Sequence, residues 1–179
     1  TYGGIGADYH PIRGINLGFW QLAGLTAPGV ITPPPPVLGS GTAQDTLDQV
    51  GALHADLYNR YSVISDGLSN TILVIENSGA PQQYIKQQKH QVGTLLSYQG
   101  GWGDSTSGAF RISGASADGL THPGLCTINC TNKYSLFGFH PSGAQVVLAD
   151  GSVRMMNQNI NPLTLIAYIT KAEGEVINE

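Results

Sequence analysis

The stretch "FHPSGAQVVLADGSVRMM", residues 139–156, decides how the chain is read. Its His140 stands ten positions before the pair Asp150–Gly151. Either these residues share a chemical site or they shape a piece of sheet. Folded about a two-residue Asp150–Gly151 turn, the segment sets Leu148 against Val153 and Val146 against Met155 on one side. Val147 then faces Arg154, and Ala149 faces Ser152, on the other. One face is apolar and one mixed, the pattern of a hairpin lying on a core. Asp-Gly also suits a type I′ turn, which needs positive φ at both central residues. At about 3.3 Å per strand residue, the chain between the Pro141–Gly143 bend and Asp150 spans roughly 20 Å. That distance argues against a His140–Asp150 pair. His140 is expected to order the "HPSG" bend through a hydrogen bond to backbone, with Asp150 and Gly151 as turn residues.

Working outward, "NPLTLIAYITKAEGEVI" (161–177) offers Asn161 as N-cap, Pro162 at the first helical position and apolar residues at 163, 166, 167 and 169. A helix over 162–172 follows, packed with a hairpin over 144–156 on one sheet. In "SDGLSNTILVIENSG" (65–79), Asp66–Gly67 marks a turn, and the run 71–76 predicts a buried strand. "QVGTLLSYQGGWGDSTSGAFRI" (91–112) suggests a strand near 92–98, a glycine-rich loop with Trp102, and a strand at 109–112. In "QDTLDQVGALHADLY" (44–58), Leu47, Val50, Leu53 and Leu57 recur at helical spacing, against Gly51 in their midst. Residues 1–42 show little periodicity and carry Pro33 to Pro36, which reads as a surface loop.

Only 11% of the residues are charged, against roughly 25% in ordinary soluble domains, while Gly (24) and Pro (10) are plentiful. Helix formers are scarce and turn formers abundant, which favours β structure with long loops. The expectation is one α+β domain over 1–179, with an antiparallel sheet, long Gly/Pro-rich loops and a C-terminal helix. A net charge of −4 gives no basic footprint, so nucleic acid is not an expected partner. Apolar runs stay far below the roughly 18 residues of a membrane span. The chain opens on "TYGGIGADYH" without an initiator Met, which reads as a mature product or a fragment.

Cys126 and Cys130 form a C-x3-C pair with no second pair, and His122 alone does not complete a zinc set. In a weakly charged, Gly-rich chain they read as a local disulfide outside the cytoplasm. "NCT" at 129–131 fits a glycosylation sequon.

The five histidines (10, 54, 90, 122, 140) are dispersed, and each is read first as a surface or hydrogen-bonded residue. Asp104 in "GGWGDSTSG" and Asp118 in "ASADG" sit among Ser and Gly, suited to oxygen ligation of Ca²⁺ or, more simply, to turns. No other cofactor is implied. Trp20, Trp102, Tyr98 and Tyr84 could stack on sugars or anchor loops.

The opening stretch is similar to the H-x9-DG carboxy-terminal signature of the DUF1559 proteins, a family abundant in planctomycetes. "ISDGLSNTILVIENSG" (64–79) resembles the family's Asp-Gly-x-Ser-Asn-Thr segment, and "CTINCTN" (126–132) its Cys-containing stretch. The tail from Asn161 resembles its closing helix. The match runs over residues 60–179, and 1–59 resembles the family only loosely. The resemblance implies a pilin-like or pseudopilin-like head, in a family whose members begin with a prepilin helix that this sequence lacks. It implies a cell-envelope role, with envelope or filament proteins, or like subunits, as partners, and it transfers no catalytic residue. Two functions follow. One is a structural or adhesion module of the cell surface. The other is a secreted hydrolase or carbohydrate-binding protein, with polysaccharide as partner, whose site is assembled from loops around His140, Asp104 or Asp118. Two carboxylates, or a histidine and a carboxylate, converging in a pocket would favour the second.

Overall fold

A computed structural model describes residues 6–24, 49–53, 60–90, 96 and 110–170. Among these residues eight strands and two α-helices follow in chain order: β1 Tyr9–Ile15, α1 Leu17–Leu22, β2 Gln49–Val50, β3 Ile72–Glu76, β4 Tyr84–Ile85, β5 Gln88–Lys89, β6 Phe110–Ile112, β7 Gly143–Leu148, β8 Val153–Asn157 and α2 Pro162–Ile169. The fold is α+β. Its main sheet runs β2-β1-β3-β7-β8, with β6 also on β1, and β4-β5 is a separate hairpin. All pairings are antiparallel except β1 with β6.

β1 organises the sheet. Its residues Tyr9–Pro11 pair with β3, while Gly14 and Ile15 pair with both β2 and β6. Ile12 and Ile15 are completely buried, with Phe19 and Trp20 of α1 beside them in the core. The expectation of an irregular segment over 1–42 is therefore corrected for residues 9–22. Pro11 and Gly14 broke the periodicity, yet three strands converge on this one and supply what propensity does not. The helical reading of 44–58 is also overturned where it can be seen. Gln49 and Val50 are strand, and Gly51 donates its N–H to Arg13 O at 2.8 Å. A Cβ on Gly51 would lie 3.1 Å from the backbone oxygens of Ile12 and Arg13, so this glycine permits a close backbone approach.

β3, β6 and α2 form where the sequence places them. Asn161 Oδ1 accepts from Leu163 N–H at 2.9 Å, Pro162 opens α2, and Leu165, Ile166 and Ile169 are buried. Fully burying each such side chain contributes about 1.5–3 kcal/mol. The expected strand at 92–98, apart from Leu96, and the Trp102 loop lie outside the described residues, whereas the helix expected over 162–172 ends at Ile169, where Thr170 turns extended and bridges to Gly51.

The hairpin exists, with a different register. Val147 faces Val153, Val146 faces Arg154, Gln145 faces Met155 and Ala144 faces Met156. The turn holds three residues, Ala149 to Gly151: Gly151 N–H donates to Leu148 O at 2.9 Å, and Leu148 N–H to Ser152 O at 2.9 Å. Gly151 has φ +85°, whereas Asp150 is not in the left-handed region, so the type I′ reading is replaced by a type I turn closed by a glycine bulge. The one-residue shift moves every β8 side chain to the opposite face. Val146, Leu148 and Met156 are buried, while Val153 (61%) and Met155 (43%) face solvent. Tertiary contacts select this turn. Ala149 N–H reaches Thr71 O at 2.8 Å and Asp150 N–H reaches Leu68 O at 3.1 Å, docking the loop on the 66–71 turn.

Candidate functional site

β3 ends on a charge. Glu76 closes the apolar run "TILVIE", and only 4% of it is exposed. A buried carboxylate requires partners, and three reach it. Gln145 N–H donates to Oε2 at 2.7 Å, Ser78 Oγ donates to Oε1 at 3.2 Å, and His140 Nε2 lies 3.4 Å from Oε1. Gly138 makes room: a Cβ there would stand 2.8–2.9 Å from the carboxylate atoms. His140 itself is 44% exposed. Its ring therefore meets a side-chain carboxylate, not the backbone acceptor expected for it.

The backbone of the bend is clamped from below. His140 O accepts from Gln87 Nε2 at 2.8 Å and from Asn129 Nδ2 at 3.2 Å. Asn129 also donates to Gly143 O at 3.3 Å and accepts from Gly138 N–H at 2.9 Å. Asn132 binds Tyr84 N–H, Gln82 O and Ser78 O, and Asn77 donates to Asn132 O and Ser135 O. The segments 64–79, 126–132 and 139–156 thus meet in one buried polar network. Asn129 is 6% exposed, so the sequon asparagine is an internal strut of the folded chain.

Cys126 and Cys130 form the expected disulfide. Asp150 is at the far end of β7 from His140, where its Oδ1 accepts from Ser152 N–H at 2.9 Å and Ser152 Oγ at 2.7 Å. The Ser152 hydroxyl, then its N–H, hold the Asp150 carboxyl below its ordinary range. Asp118 is exposed and bonded within its own loop to Ser116 Oγ and Leu120 N–H, and the Ser116 hydroxyl is the main cause of its lowered pKa. Asp104 lies outside the described residues. Among the described residues no three His, Cys, Asp or Glu side chains gather as a metal would require.

The other histidines divide. His10 is buried, stacked on Phe110 with 5.6 Å between ring centres, and its Nε2 contacts Ala7 O at 3.0 Å. His122 Nδ1 donates to Gly114 O at 2.6 Å and meets Tyr134 edge-on. Burial, more than the nearby Lys133, lowers its pKa, against the opposing bond to Gly114. His90 is half-buried, and His54 lies outside the described residues. Trp20 is core, and Tyr84 packs edge-to-face on Phe139 at 5.0 Å, a ring 50% exposed. Trp102 and Tyr98 are not described.

Glu76 is the residue that sequence reasoning missed. His140 is placed on it only because β3 and β7 are neighbours, a long-range pairing. One signal was available: a lone carboxylate at the end of a buried strand needs a partner. Chemically, the pair can lock the bend, and a half-exposed imidazole oriented by a buried carboxylate has the form of a general base.

No described helix is long and apolar enough to cross a membrane. No curated protein and no solved structure matches the chain. A family model, described as protein of unknown function (DUF1559), matches residues 32–163, more than half of the chain. The segments locked together by Asn129, Asn132, Glu76 and the Asp150 turn all fall within it, and the chain belongs to the DUF1559 family.

Proposed function

We propose that the chain is a structural or adhesion module of the bacterial cell surface, pilin-like in role, that works outside the cytoplasm. The observation that carries this reading is the polar network. Glu76, Asn77, Gln87, Asn129 and Asn132 are all engaged in holding loops to one another. Such a network, closed by a disulfide, makes a rigid loop surface suited to contact with other molecules, and disulfides persist in oxidising compartments. The test is made on the protein in its native cells. Labelling of intact cells by an antibody to the chain, with Cys126 and Cys130 oxidised, is the expected result. A cytoplasmic pool with both thiols free overturns the reading.

One observation favours a second reading, a secreted hydrolase: the 3.4 Å approach of His140 to buried Glu76. Its expected signature is a hydrolytic activity on esters or glycans that His140→Ala abolishes while the melting temperature stays within about 2 °C, roughly what a surface change of 0.5 kcal/mol produces. A large loss of stability in that variant supports the structural reading.

A further inference from the structure

The disulfide is not sealed in the core. Cys126 and Cys130 are both half-buried and help line an open cleft of about 290 Å³, with Lys86, Gln87, Gln158 and Asn159 around them. Three segments form its walls: the β4–β5 hairpin tip, the cysteine loop and the turn after β8. Lys86 N–H donates to Cys130 O at 3.0 Å, which sets the hairpin tip against the Cys130 half of the bridge. Lys86 also acts weakly on Asp118, whose main partners are in its own loop. The loop between the cysteines holds Asn129, at φ +62°, and that side chain is the clamp on the bend at 138–143.

A disulfide that lines an open cleft offers an entry route for an attacking thiolate, and a lysine in the wall of the same cleft supplies positive charge that favours a leaving thiolate. We propose that Cys126–Cys130 is a thiol-exchange site, open in the folded state to low-molecular-weight thiols that enter the cleft. The incoming thiolate attacks Cys126 Sγ and forms a new S–S bond with it. The Cys126–Cys130 bond breaks, and its electron pair leaves on Cys130 Sγ, in the half of the bridge whose backbone accepts from Lys86 N–H, where the thiolate takes up a proton from water. A second thiolate attacking the mixed disulfide releases the small disulfide and leaves both cysteines reduced. Two electrons pass from the two thiols to the protein. Opening the bridge frees the loop that carries Asn129, so the exchange state sets how firmly the 138–143 bend is held.

The experiment incubates the native, full chain with glutathione, traps thiols by alkylation and maps the peptides. Expected are a glutathione adduct on Cys126 and an alkylated Cys130, without denaturant. Hydrogen exchange should rise over 138–142 while β3 and β7 stay protected. Lys86→Ala should slow the reaction about threefold through the poorer leaving group, and Lys86→Arg should restore it. Reaction only at denaturant concentrations that unfold the chain overturns the proposal. Equal rates for the wild type, Lys86→Ala and Lys86→Arg also overturn it as stated.

Discussion

The Glu76 side chain continues the β3–β7 ladder past its last backbone pair: its Oε2 accepts the Gln145 N–H at 2.7 Å, one residue beyond Ile75↔Val146. A side chain here replaces a backbone carbonyl, and the same carboxylate reaches His140. Glu76→Ala should cost about 1–3 kcal/mol, since it strands a buried N–H and the Ser78 hydroxyl. Glu76→Gln keeps one oxygen acceptor and should cost less. Urea denaturation of both variants checks the order, and equal losses would count against the ladder role.

The two glycines of the hairpin should respond differently to substitution. Gly151 has open space around its missing Cβ, so Gly151→Ala meets only the positive φ, about 1–2 kcal/mol, and Gly151→Val more. A Cβ on Gly143 would overlap the Met156 carbonyl oxygen, which belongs to the paired strand and cannot swing aside. Gly143→Ala should therefore be the more damaging alanine change. Asp150→Asn keeps the oxygen that accepts from Ser152 and should leave the melting temperature nearly unchanged. Thermal melts of the set decide it.

How much of this was legible in the sequence varied with the range of the interaction responsible. Asn161 and Pro162 announced α2 because capping is local. The Asp150–Gly151 pair announced a hairpin but not its register. Register was fixed by Thr71 and Leu68, whose carbonyls catch Ala149 and Asp150 from about eighty positions away in the chain. β1 was hidden because residues 1–42 show little periodicity, with Pro11 and Gly14 interrupting the strand, and its stability comes from partners on β2, β3 and β6. For the site, the cysteine pair and the distance between His140 and Asp150 were readable. Glu76 was not, since nothing local links it to His140.

Stability should fall as the solution is acidified, and His122 should account for part of the fall. Burial holds its folded pKa below the ordinary 6.5, and its Nε2 is buried without a hydrogen-bond partner among the described residues. The unfolded chain therefore takes up the proton first. This contribution is fully present above 6.5 and is lost as the pH drops through 6.5 toward the lower folded value. Melting temperatures measured at closely spaced pH values should show a shallower acid slope in His122→Gln than in the wild type. An identical slope would refute the assignment.

Asn129 should tolerate nothing else. Asn129→Asp keeps the acceptor for Gly138 N–H but loses the donors to His140 O and Gly143 O, and about 1–3 kcal/mol should follow. The folded chain offered to a glycosylating extract should keep its unmodified mass, which mass spectrometry checks directly.

The arrangement around β1 has a kinetic consequence. This strand is synthesised before any of its partners, yet Ile12 pairs with Phe110, and Pro11 pairs with Val74. Non-local pairing of this kind must close long loops before any contact rewards it, which places folding on the slower, millisecond-to-second side. Until β6 has left the ribosome, Ile12 and Ile15 lack a complete cover. The nascent chain is therefore most exposed to aggregation, and most dependent on holding chaperones, during the interval in which its first strand waits for its last neighbour.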